Sequence, residues 1–141
     1  MSFPMRTPAE GEALIGQPTK PDRPLARSLA RLLAAFPDVQ EAHFPQCFAP
    51  GKMTRPAQVL MVVFSRPQGA LGAMSRIRED VARLIPRGEF LDMWPITTPG
   101  GFLESVRGAR CRILRRARSG KAVTEDPWSL WDRTVCRMRR L

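Results

Sequence analysis

The chain has 141 residues, 43% hydrophobic and 26% charged, which fits one ordinary globular domain long enough to bury a core. Its net charge of +10 is concentrated at one end, because residues 107–141 hold eleven basic residues against three acidic ones. No apolar run reaches the roughly 18 residues of a membrane span, no secretory signal opens the chain, and three dispersed cysteines with one histidine argue against a disulfide framework or a zinc site. The expectation is a cytoplasmic protein with no cofactor and no metal.

Residues 1–12 are polar, contain Pro4 and Pro8 and show no period, so they read as a flexible N-terminal arm. The stretch EALIG, residues 12–16, reads as a short strand ended by Gly16. The following Gly16-Gln17-Pro18 lies ahead of a helix, where anions often bind. Proline removes backbone N–H donors, however, and a dinucleotide cradle needs several glycines, so the segment reads as a structural turn. Leu25, Leu29, Leu32, Leu33 and Phe36 then form one stripe of an amphipathic helix. Asp22 is its N-cap, Pro24 sits in its first turn, and Pro37 closes it.

Val39 to Phe48 begins as a strand and is interrupted by Pro45, the mark of an edge or bulged strand. Residues 49–56 form a turn region rich in breakers, and residues 59–64, VLMVVF, read as a central strand buried on both sides. A second helix runs from Ala70 to Ile85 through Leu71, Met74, Ile77, Val81 and Leu84, and Pro86 and Gly88 end it. Residues 89–96 give a last strand stopped by Pro95. The order predicts an α+β fold over residues 13–106: a ferredoxin-like β-α-β-β-α-β sandwich, with two helices on one face of an antiparallel sheet.

Beyond residue 99 the pattern loosens to one helical turn and an outer strand around Cys111 to Leu114. Residues 107–141 read as a basic C-terminal extension. Asp126-Pro127 opens an amphipathic helix over about 127–140, with Trp128, Trp131, Val135 and Met138 on one side. Asp132, Arg133, Arg137 and Arg140 lie on the other.

Three motifs occur in order and at matching spacing. They are Gly16-Gln17-Pro18, the stretch PDVQEAHF containing Pro37, Val39 and Ala42, and PRGEFLDMWPI containing Pro86, Gly88, Leu91 and Asp92. In this combination the chain resembles the C-terminal domain of the enhanced-serine-sensitivity (SseB) protein family over roughly residues 14–96. The resemblance implies a bacterial, cytoplasmic protein. It carries over no catalytic residue, since the family is named for a growth phenotype and not for a reaction. The chain departs from the family in lacking a larger N-terminal domain, in placing His43 where an aromatic is common, and in its arginine-rich end.

Candidate chemistry is sparse. His43 and Cys47 would be a nucleophile–base pair only on a helix, and on an extended chain they stand about 13 Å apart. Asp92 shares a strand face with Phe90, Trp94 and Ile96 and is a candidate buried polar residue with a raised pKa. It has no catalytic companion in the sequence. Ser119-Gly120-Lys121 is not a phosphate-binding loop, because Arg115 and Ala122 stand where Gly and Ser or Thr are needed. What remains is the basic segment. Arg112, Arg115, Arg116, Arg118, Lys121, Trp128, Trp131, Arg133, Arg137 and Arg140 are its candidate contacts to a partner or to nucleic acid. The leading expectation is a non-enzymatic interaction or regulatory module with a protein partner or self-association; nucleic-acid binding through residues 107–141 is the alternative.

Overall fold

A computed structural model of the chain describes residues 14–51, 53–89 and 91–129. In order these form β1 (Leu14–Gly16), α1 (Arg23–Ala34), β2 (Val39–His43), β3 (Gln46–Phe48), β4 (Ala57–Gln58), β5 (Leu60–Phe64), α2 (Ala70–Ala82), β6 (Met93–Ile96), α3 (Gly101–Gly108), β7 (Arg112–Arg116) and β8 (Ala122–Thr124). The helix of the C-terminal segment expected over 127–140 falls outside these residues apart from its first three positions.

Helix α1 forms as its sequence dictates. The Asp22 carboxylate accepts the Leu25 amide at 3.1 Å, Pro24 occupies the first turn, and Ala26, Leu29, Ala30 and Leu33 are buried on one stripe. Full burial of Leu29 and Leu33 stabilises the fold by about 2 kcal/mol each. Helix α2 buries Ala70, Ala73, Met74, Ile77 and Val81. Leu71 was expected on this stripe but is 72% exposed. At about 100° per residue it stands a quarter turn from Ala70, and the small alanines 70 and 73 make the contact instead.

The main sheet has the order β6-β5-β2-β7-β8, and a smaller one has the order β1-β3-β4. Strand β5 is an inner strand, held between β6 and β2, and is buried at every position. Leu60, Val62 and Phe64 face one apolar cluster with α1 and α2, while Met61 and Val63 face a second with Trp94, Leu103 and Val106.

The fold is therefore α+β, but its strand arrangement differs from the expected ferredoxin-like one in two ways. First, β1 is absent from the main sheet and pairs antiparallel with β3. Pro45 separates β2 from β3, so the chain leaves the main sheet there and carries the short β1 with it. Second, the main sheet is mixed. Strands β5 and β6 run parallel, joined by α2, the kind of helical crossover that parallel neighbours require. Pro95 lies inside β6 instead of ending it, and β6 is an edge strand, where a missing N–H is tolerated.

The expected boundary at residue 106 also moves. Strand β7 is paired on both sides, to β2 and to β8, so it is an inner strand of the domain, not an outer one. Its arginines dominate the charge count of this segment, yet Ile113 and Leu114 between them are fully buried. The stretch Ser119-Gly120-Lys121 is the turn of the β7–β8 hairpin. Gly120 adopts φ +89°, and the Ala117 amide donates to the Lys121 carbonyl at 2.8 Å.

Candidate functional site

Alternation along β2 turns Ala42 and Phe44 toward the α1–α2 cluster and leaves Glu41 and His43 together on the other side. His43 is 1% exposed, and its Nε2 lies 2.9 Å from Oε1 of Glu41. Arg107, in the last turn of α3, donates to the same carboxylate twice, Nη2 to Oε2 at 2.6 Å and Nε to Oε1 at 3.2 Å. Its Nη1 also reaches Glu104 at 3.2 Å. This two-pronged pairing is the strong form of an arginine–carboxylate contact. The His43 hydrogen bond, aided by Arg107 and opposed by burial, holds the Glu41 carboxyl down at about 2. The Glu41 hydrogen bond in turn raises the Arg107 guanidinium above its ordinary range.

Above this pair opens a cleft of about 390 Å³ lined by His43, Arg107, Arg110, Arg112, Glu125, Asp126 and Pro127. Arg112 stands opposite His43 in the β2–β7 register. Its Nε donates to Oε1 of Glu125 at 2.7 Å, and Arg115 approaches the other oxygen at 3.4 Å. Asp126 pairs with Arg23 at 2.8 Å. Burial would raise its carboxyl, but hydrogen bonds from Arg23 and the Trp128 amide outweigh this and lower it. Arg110 turns the chain from α3 into β7 with φ +58°, a left-handed conformation uncommon for a residue with a side chain.

Gln17 sets that turn. Its amide donates to the Ala109 carbonyl at 2.8 Å and the Arg110 carbonyl at 3.0 Å, while its oxygen accepts the Trp128 indole N–H at 3.1 Å. The Gly16-Gln17-Pro18 segment is thus a clasp that ties β1 to the cleft wall.

The residues expected to face a partner divide sharply. Arg118 and Lys121 are exposed at the hairpin, and Arg112 and Arg115 share Glu125. Arg116 turns inward, donating to the carbonyls of Phe36 at 2.9 Å, Val39 at 3.2 Å and Gly120 at 3.2 Å, and it reaches the Ala34 carbonyl at the end of α1 at 3.5 Å. Trp128, expected on a contact stripe, is 1% exposed and packs in the α1–α2 cluster. Trp131, Arg133, Arg137 and Arg140 lie outside the described residues. Asp92 is half-buried just ahead of β6, and its carbonyl accepts the Leu60 amide at 3.0 Å.

Cys47 and Cys111 are free and buried, and burial pushes both thiols up to about 12. Neither is an activated nucleophile. The partner of His43 is Glu41 and not Cys47, and the two-residue spacing of Glu41 and His43 on a strand is a usable signal of it. Arg107, 66 positions from Glu41, carried no such signal.

Among the described residues no group of three or more His, Cys, Asp or Glu side chains could hold a metal ion, and no helix is long and apolar enough to cross a membrane. Comparison with protein-family models, with curated proteins and with solved structures finds no match for the chain.

Proposed function

We propose that the chain is a non-enzymatic binding module that contacts an acidic protein partner through the basic tip of the β7–β8 hairpin. The observation that carries this reading is the β7–β8 hairpin, which displays Arg118 and Lys121 at an exposed turn beside Arg115. A cationic edge held by a sheet loses little conformational freedom on binding, which favours a defined partner. The motifs shared with the serine-sensitivity family fit a bacterial, cytoplasmic regulatory role of this kind.

The alternative is nucleic-acid binding, and the exposure of Arg110, Arg118 and Lys121 favours it. Against it, Arg107, Arg112 and Arg115 already face carboxylates and Arg116 faces carbonyls, which reduces the charge left for a phosphate backbone. Fluorescence anisotropy of the full chain separates the two, using a labelled glutamate-rich peptide and labelled single-stranded RNA. The module reading expects peptide binding at low salt that falls ~10-fold or more when Arg118→Glu is combined with Lys121→Glu. RNA binding lost in that variant, with no peptide binding, would transfer the proposal to the alternative.

A further inference from the structure

The cleft over Glu41 and His43 has a chemistry that the partner surface does not use. Glu41 is ionised and can only accept, so the proton on Nε2 of His43 points to it. In the neutral ring Nδ1 is then left as an acceptor. It is buried and has no hydrogen-bond partner among the described residues. A buried polar atom in this condition calls for a donor.

The wall opposite supplies the reverse chemistry. Arg107, Arg110 and Arg112 come from the end of α3, the left-handed turn and the start of β7, and they converge on one cleft. The acidic lining is already engaged: Glu125 by Arg112 and Arg115, Asp126 by Arg23, and Glu41 beneath by Arg107. Arg112 reaches Glu125 through its Nε at 2.7 Å, and its Nη groups are further donors at the cleft. The backbone of Arg110 is pinned by Gln17 in a conformation that costs free energy, and such strain gathers at sites that hold ligands.

A ligand that satisfies both walls carries negative oxygens for the arginines and a hydroxyl for Nδ1. We infer that this cleft is an oxyanion site for protonated phosphate, with charged oxygens on Arg110 and Arg112 and the P–OH donating to Nδ1 of His43. The site lies apart from the hairpin tip and does not depend on the partner proposed above.

Sulfate is the discriminating probe, because near neutral pH it has the shape and charge of hydrogen phosphate but no O–H. Calorimetric titration of the full chain at about pH 8, with sodium phosphate and sodium sulfate at matched ionic strength, should give saturable phosphate binding ~10-fold or more tighter than sulfate. The chain has a single histidine, so its ring nitrogen signals are unambiguous by NMR. The Nδ1 signal should shift with phosphate along the same saturation curve.

His43→Gln keeps an amide donor for Glu41 while removing Nδ1, so it should abolish the preference for phosphate. Arg110→Ala should weaken phosphate ~10-fold. Arg118→Glu with Lys121→Glu should leave the phosphate titration unchanged, which separates this site from the partner surface. Equal binding of the two anions, no binding of either, or an unmoved Nδ1 signal in the unaltered chain overturns the inference. That last measurement decides even if a variant fails to fold.

Discussion

The two faces of the five-stranded sheet are built on opposite rules. One face, under α1 and α2, is apolar throughout: Leu29, Leu33, Leu60, Val62, Met74, Ile77 and Ile113 are all fully buried there. The other face is apolar only beside β5 and β6, where Met61, Val63, Trp94 and Ile96 meet Leu103 and Val106. Toward β2 and β7 it becomes polar, with the Glu41 carboxylate held by His43 and Arg107 and, beside it, the Arg112–Glu125 pair. Apolar burial stabilises without direction, whereas a buried ion pair must recover its desolvation through geometry. The first face therefore stabilises the fold through apolar burial alone, whereas the second adds contacts that depend on geometry.

The strongest way to sharpen this contrast is to cut into the dry face. Leu33→Ala should cost ~2–5 kcal/mol, seen as a lower urea midpoint, and should leave the arginine cleft intact. A smaller loss, near 1 kcal/mol, would mean that the α1 contact collapses around the gap and is less tightly packed than its burial indicates.

On the polar face Glu41→Gln should cost about 2–3 kcal/mol, below the full value of a buried pair because Arg107 is partly exposed to solvent. The pH dependence gives the same test a sign. The Glu41 pKa is lowered from 4.5 to about 2, so its contribution is fully present above about 4.5 and is lost as pH falls toward 2. Urea midpoints measured across that window should fall more steeply for the unaltered chain than for Glu41→Gln. Parallel curves would break the claim that this face is held by an ion pair.

Asp22→Ala removes the α1 cap and should cost about 1 kcal/mol by thermal melting. The least effect is expected for Arg23→Ala. Its pairing with Asp126 is exposed, so the loss should stay below about 1 kcal/mol and shrink further in salt. A large effect there would show that the C-terminal segment is held to α1 by charge, and not by the burial of Trp128.

The same division explains what the residue pattern disclosed. Helix α1, with Asp22, Pro24 and Pro37 as punctuation, and the continuous apolar run of β5 are local features, readable from the spacing of side chains along a few turns. The placement of β7 was hidden because Arg112, Arg115 and Arg116 outweigh Ile113 and Leu114 in any count of charge. The resulting expectation of a separate basic extension missed an inner strand. The pairing of Glu41 on β2 with Arg107 on α3 joins residues far apart in the chain, so neither neighbourhood announces it.

Helices α1 and α2, the two-sided burial of β5 and the location of positive charge are all legible in the residue pattern, because each follows from the period and type of neighbouring residues. Only the tertiary structure decided that β5 and β6 run parallel, that Gln17 clasps Ala109, Arg110 and Trp128, and that Arg107 closes on Glu41 across 66 positions. Those contacts join residues far apart in the chain. Their partners are chosen by sheet register and helix packing, and no local period encodes that choice.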